Sequence, residues 1–224
     1  MKFSAVAFDL DGTLYPNFSF YLRLFPFILK EQRLIRAFGK ARIILRNSSQ
    51  KQENADEDFY KLQAKLMGKI LGENAEKLME RVEKLIYRGW EPIFERISLF
   101  PHVRETLDAF RGAGVKMGLL SDFPPETKLK NMNISGYWDA VLCSEQTGRL
   151  KPDKKPFLNL AALMGKAPEE ILYVGNSFSY DVEGARKTGM KAAHIRSRWK
   201  KFAPPGKADF VFYDYRQLRD YVLG

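Results

Sequence analysis

Apolar residues recur at two different spacings along the chain, and the change of spacing marks out its parts. Phe3-Ser4-Ala5-Val6-Ala7-Phe8 is a short, mostly apolar, β-prone run that stops at Asp9, Asp11 and Gly12, as a buried parallel strand feeding a loop would. From 15 to 98 the strand signature is absent. Leu22, Phe25 and Leu29, then Leu62, Leu66 and Ile70, then Leu78, Val82 and Leu85 recur at three and four residues, which predicts an insertion of about four helices. Pro26 should start or kink the first of them. Asn47-Ser48-Ser49-Gln50 and Gly72-Glu73-Asn74 read as connections, with Asn74 a cap for the helix that follows.

From Pro101 helix and strand alternate. Helices are predicted over 101–113, 125–132, 154–164 and 178–188, strands over 115–120, 140–143, 171–174 and 192–195. A late strand at 209–212 precedes a final helix to Leu223. Repeated βα units imply a parallel sheet covered on both faces. The expected class is therefore α/β, with a core of residues 1–14 and 99–224 and an all-helical insertion over 15–98. Tyr15-Pro16-Asn17 and Ile97-Ser98-Leu99-Phe100-Pro101 are its candidate hinges, which makes the insertion a lid by position.

The 224 residues, 45% hydrophobic, are enough for one such core and a smaller insertion. The charged start is followed by only a short apolar run and then by acids, so residues 1–8 read as a strand rather than a secretory leader. The most apolar window, Phe18 to Leu29, contains Arg23 and Pro26 and is too short to span a bilayer. A lone cysteine, Cys143, rules out an internal disulfide and fits a reducing, cytoplasmic setting; its apolar surroundings suggest a buried structural thiol.

The net charge of +10 is unevenly placed. Eight basic residues (Arg23, Lys30, Arg33, Arg36, Lys40, Arg42, Arg46 and Lys51) face one acid, Glu31, and a second run from Arg186 to Lys207 holds eight with no acid. Such fields attract anions, but no nucleic-acid-binding motif accompanies them, so nucleic acid is a disfavoured partner and a solvated basic surface the simplest reading. Oligomeric state is open at this level.

The chemistry concentrates where apolar runs end. Asp9 and Asp11 would face one pocket at a strand tip, with Gly12 allowing a sharp turn and close ligand approach. One aspartate can attack phosphorus while a second protonates the leaving oxygen and later activates water. Alone, Asp-Gly closes ordinary turns equally well. What separates the readings is the rest of the chain, which supplies Leu119-Leu120-Ser121-Asp122, then Lys151-Pro152-Asp153, then Val174-Gly175-Asn176-Ser177 with Asp181. Ser121 and the following backbone N–H groups can hold phosphoryl oxygens, and Lys151 can screen phosphoryl and nucleophile together.

With these stations in this order, the chain resembles the haloacid dehalogenase-like (HAD) hydrolase superfamily, in the branch with a helical C1 cap inserted after the first motif. The resemblance implies a Rossmann-like core and a phosphatase acting through an aspartyl-phosphate on Asp9, with Asp11 as acid and base. Ser121, Asp122 and Lys151 then stand at the phosphate, and Mg²⁺ at Asp9, the Asp11 carbonyl, Asn176 and Asp181. Two positions depart from pattern. Asp122 stands where many relatives of this cap class carry asparagine, so only backbone and local roles are assigned to it. Asn176 stands where the family usually has aspartate; its amide oxygen can bind magnesium but brings no charge, so weaker metal binding is expected. Asp11 argues against the dehalogenase members, which lack that carboxylate.

The expected substrate is a small phosphorylated metabolite, a nucleotide or sugar phosphate among the candidates. A sugar phosphomutase, which would use the same two aspartates, and a non-catalytic HAD-fold binding protein with a basic surface are the alternatives. Thr13 should orient the acids. His102 and His194 are expected to be structural and apart from the site, Tyr15, Phe18, Phe20 and Tyr21 to pack the insertion's own core, and Arg23 or Arg33 to offer a substrate clamp.

Overall fold

The computed structural model describes residues 2–48, 58–197 and 206–224. Of the predicted connection Asn47-Ser48-Ser49-Gln50, Asn47 and Ser48 instead close the helix Gln32–Ser48, while Ser49, Gln50 and the basic residues Lys51, Arg198, Lys200 and Lys201 lie outside the described residues. Six parallel strands form one sheet in the order β3-β2-β1-β4-β5-β6. They are β1 (Ala5–Phe8), β2 (Lys116–Ser121), β3 (Ala140–Cys143), β4 (Ile171–Gly175), β5 (Lys191–Ile195) and β6 (Phe210–Phe212).

Strand β1 is central and shows why its sequence reads as a continuous apolar run. Val6 and Phe8 point to one face, where they join Leu107 and Phe110 of α5 (Val103–Gly112) and Leu218 and Val222 of the C-terminal helix. Ala5 and Ala7 point to the other, against Phe157, Leu160 and Ala161 of the helix Lys154–Met164. Side chains alternate with period two, so a strand buried on both faces needs apolar residues at every position. The small alanines let the second layer approach closely.

Between β1 and β2 lie α1 (Asn17–Lys30), α2 (Gln32–Ser48), α3 (Phe59–Leu71) and α4 (Ala75–Val82), then a π turn at Glu83–Tyr87 and a 3₁₀ turn at Glu91–Arg96. Leu34 and Phe38 of α2, Met67 of α3, and Leu78 and Val82 of α4 form a separate core there. Asn74 caps α4 as expected, its side chain accepting from the Lys77 N–H at 3.1 Å. Gly72 ends α3 in the left-handed conformation, φ 71°.

The structure corrects several local expectations. Helix α1 runs through Pro26. Its buried face is Phe20 and Leu24, whereas Phe18, Tyr21, Leu22, Phe25 and Leu29 are 55–74% exposed. Both faces of α1 are apolar, so periodicity selected the wrong one. Tyr15 and Phe20, expected in the insertion's own core, pack instead into the core that includes β1. Helix α5 starts at Val103 rather than Pro101 because His102 takes up a left-handed φ of 64°. The helix expected at 178–188 opens instead with a π turn, Phe178–Val182, before α8 (Glu183–Lys187). Both Asp181 and Val182 N–H donate to the Ser177 carbonyl, at 2.9 and 3.2 Å. That wider turn aims the Asp181 carboxylate back at the sheet.

Candidate active site

Strands β1, β2 and β4 are neighbours and end at one edge. Phe8 is in register with Leu119 and with Val174, so the residues that follow, Asp9 to Asp11, emerge beside Ser121 and Asn176. The Asp9 N–H continues the ladder by donating to the Val174 carbonyl at 2.9 Å. Strand order reverses between β1 and β4, the place where open α/β sheets form a crevice. Glycines permit the crowding. A Cβ on Gly175 would lie 2.3 Å from Asp181 Cβ, and one on Gly12, whose φ is 83°, 2.2 Å from Asn176 Nδ2.

The loop before α7 (Lys154–Met164) brings Lys151 beneath this edge. Its Nζ lies 2.6 Å from Asp9 Oδ1 and 2.8 Å from Asp181 Oδ1, and Thr13 Oγ1 donates to Asp9 Oδ2 at 2.7 Å. All four side chains are buried. Burial works against the Lys151 charge, but Asp181 and Asp9 overcome it and hold the ammonium well above the ordinary lysine range. For Asp9 the balance reverses. Burial pushes its carboxyl up, Lys151 opposes, and the like charges of Asp181 and Asp11 add to the rise, to about 7.

Asp11 belongs to a second cation. Lys128 Nζ lies 2.7 and 2.8 Å from its two oxygens, the Tyr15 hydroxyl donates to Oδ1, and Ser121 Oγ lies 3.3 Å from Oδ2. Burial would raise the Asp11 pKa; the charge and hydrogen bonds of Lys128 and the Tyr15 hydroxyl outweigh it and bring it below the usual carboxylate value. Sequence reasoning missed Lys128. Nothing distinguishes it among 37 lysines and arginines, and only its position on α6 (Glu126–Asn131), just beyond Ser121, hints at its reach. Ser121 Oγ also accepts from the Phe123 N–H at 3.1 Å.

The Asp122 carboxylate is engaged away from this pair. Arg46 Nη2 donates to Oδ2 at 2.7 Å, while the Ser144 hydroxyl and, at 3.2 Å, the Lys151 N–H donate to Oδ1. Burial is opposed by Lys151, Arg46 and Arg42, leaving its pKa at about 2. Arg42 pairs with the buried Glu145, donates to the Asp122 carbonyl at 2.8 Å, and stacks on Phe123 with its guanidinium carbon 4.1 Å from the ring centre. The arginines that reach the site are therefore Arg42 and Arg46. Arg23 and Arg33 are exposed, and Arg23 donates to the Ser19 carbonyl.

Asn176 Oδ1 is 3.4 Å from Thr13 Oγ1, so its amide oxygen and Asp9 Oδ2 flank one hydroxyl. His194 is not apart from the site as expected: its Nε2 lies 3.1 Å from the Asn176 carbonyl. His102 stands at the start of α5. Among the described residues no three His, Cys, Asp or Glu side chains gather as a metal-binding group. A cation here would rest on two carboxylates, Asp9 and Asp181, with the Asn176 amide and the Asp11 carbonyl. Those are hard oxygen donors that fit magnesium, with less charge than three carboxylates provide.

A family model described as haloacid dehalogenase-like hydrolase matches residues 3–189. Phosphoglycolate phosphatase from Escherichia coli (strain K12) is 31% identical over 203 residues, covering 82% of this chain and 77% of that enzyme. Among solved structures, a HAD phosphatase from Thermococcus onnurineus has TM-score 0.66 at 27% identity, covering 100% of this chain and 99% of that one. The fold is shared by the putative HAD-hydrolase YfnB from Bacillus subtilis, bound to magnesium, with TM-score 0.66 at 14% identity over 99% of each chain. The matched span opens ahead of Asp9 and closes beyond Asp181, taking in every strand-tip residue described above, and the chain belongs to the haloacid dehalogenase-like hydrolases.

Proposed function

We propose that this chain is a magnesium-dependent phosphatase that passes the phosphoryl group of a small phosphorylated metabolite through Asp9. The observation that carries the reading is the position of Lys151, bridging Asp9 and Asp181 at 2.6 and 2.8 Å, with Asp11 held separately beside Ser121. An Asp9 oxygen attacks phosphorus and the bond to the ester oxygen breaks, while Asp11, whose ionised form Lys128 favours in the free protein and which takes up a proton from solvent as the substrate binds, gives that oxygen the proton. Water next attacks the phosphorus of the aspartyl-phosphate, Asp11 takes its proton, and the bond to Asp9 breaks to release phosphate.

Lys151 and the Ser121 hydroxyl meet the charge on the phosphoryl oxygens, in a buried setting where such contacts act strongly. Asp9, Asp181, Asn176 and the Asp11 carbonyl would hold the magnesium, which supplies charge neutralisation at the phosphoryl oxygens and favours the anionic form of Asp9. The helical region, through Arg46 and Arg42, braces the loops that carry Asp122 and Lys151. The relatives named for phosphoglycolate make a small phosphorylated hydroxy acid the first substrate to test.

The test is release of phosphate from 4-nitrophenyl phosphate and from a panel of phosphorylated metabolites, with and without magnesium. Turnover should require the metal, and Asp9→Asn should lower it by about 10⁴-fold or more. Equal rates for the two proteins would leave a non-catalytic binding protein as the better description.

A further inference from the structure

The chemistry above uses Lys151 but not Lys128, although both ammonium groups are buried in the same site. The two cations are divided between the two carboxylates, Lys151 on Asp9 and Lys128 on Asp11. Asp9 meets phosphorus and Asp11 meets the leaving oxygen, so Lys128 stands at the leaving-group end. Its Nζ lies 4.9 Å from the ring centre of Phe94, on the 3₁₀ turn Glu91–Arg96, and 5.2 Å from that of Phe123, in the loop after Ser121.

Two donors here lack acceptors. An ammonium has three hydrogens; two serve the Asp11 oxygens, and among the described residues no other acceptor lies within hydrogen-bond distance of Lys128 Nζ. Trp90 packs on Phe123 with ring centres 6.2 Å apart, and its buried Nε1–H has no partner among the described residues. Buried donors are rarely left unmatched, and aromatic walls supply no oxygen. A neutral alcohol answers an ammonium weakly, whereas a carboxylate offers it two charged oxygens.

We propose that Lys128 binds a carboxylate carried by the alcohol half of the substrate, so that the site selects phosphorylated hydroxy acids over neutral alkyl phosphates of the same size. The proposal rests on the phosphatase reading with Asp9 as nucleophile and Asp11 as acid. It makes Lys128 a specificity-determining residue and not merely a support for Asp11.

The experiment compares kcat/KM for phosphoglycolate and for ethyl phosphate, which differ at the carboxylate, in the wild type, Lys128→Met and Lys128→Arg. The wild type should prefer phosphoglycolate by about ten- to a hundredfold, the range of a charge-assisted contact. Lys128→Met should bring the ratio close to one, chiefly through the KM for phosphoglycolate, and Lys128→Arg should keep most of it. A wild-type ratio near one overturns the proposal whether or not the variants fold. So does an equal loss on both substrates in Lys128→Met, which would mean that Lys128 acts only through Asp11. Failure of the wild type to hydrolyse 4-nitrophenyl phosphate as well would overturn the phosphatase reading, whereas turnover of that ester without preference between the two alkyl phosphates overturns this inference alone.

Discussion

Arg42→Met removes the guanidinium that α2 inserts between Glu145 and the loop after β2. Arg42 is 4% exposed and Glu145 1%. In the variant Glu145 keeps the Tyr87 hydroxyl, which donates at 3.0 Å, but loses its counter-charge, and the Asp122 carbonyl loses a donor at 2.8 Å. Breaking a buried pair by deleting one partner costs about 3–5 kcal/mol, because the surviving charge stays desolvated. At about 2–4 °C per kcal/mol for a chain of this size, the melting temperature should fall by roughly 6–20 °C in calorimetry. Arg42→Met/Glu145→Met, with no charge left to strand, should recover most of that loss.

The pH dependence gives a second check on the same variant. Burial raises the Glu145 pKa against the opposing pull of Arg42, so the folded state holds a proton on Glu145 more readily than the unfolded chain. A raised carboxyl contributes most stability below its unfolded pKa and loses it as pH rises through the folded value. Taking Arg42 away raises the folded value further. The deficit of Arg42→Met should therefore be complete at neutral pH and narrow on acidification. A melting shift under about 2 °C at pH 7, or a deficit that widens in acid, would show that Glu145 is not held as described.

Three other outcomes follow from the site. Asn176→Asp should restore a third carboxylate beside Asp9 and tighten magnesium by about tenfold, read by calorimetry and by the metal dependence of turnover. With Asp9 pushed up to about 7 by burial in the metal-free protein, kcat/KM at subsaturating magnesium should rise with pH along an acid limb, since the proposed nucleophile must be ionised. Added magnesium should move that limb to lower pH, and a limb indifferent to metal would count against Asp9 as ligand. Asp122→Asn should cost about 2 kcal/mol at pH 7, from a carboxyl held near 2 against an ordinary 3.8. That depressed carboxyl stabilises the fold above about pH 4 and loses its effect as pH falls toward 2, so wild type and variant should converge there.

What the sequence made legible was local. An apolar run ending in Asp-Leu-Asp-Gly-Thr announces a strand and its loop within a dozen residues, and the later stations each follow or flank a run of the same kind. What it hid was long range. Arg42 meets Glu145 across 103 positions and Lys128 meets Asp11 across 117, and neither contact leaves a spacing to detect. In a chain so rich in lysine and arginine, no basic residue stands out until the fold selects it. Helix α1 was misread for a different reason: its exposed residues are as apolar as its buried ones, so hydrophobic period alone cannot say which face is inside.

The two departures from the family pattern become intelligible together. At 176 an amide stands where the resemblance implies a carboxylate, and at 122 a carboxylate stands where it implies an amide. Asp122 is one of the charges that hold Lys151 in its ammonium form, alongside Asp181 and Asp9. It also accepts from the Lys151 N–H, while Arg46 donates to the Lys151 carbonyl at 3.1 Å. The main chain of Lys151 is thus gripped on both sides by a pair whose basic member comes from α2. An acid at 122 would be costly in this buried loop without that partner, and Arg46 on α2 would lose its anion without the acid. The helical region therefore does more than cover the sheet edge: it completes the electrostatics of the lysine that bridges Asp9 and Asp181.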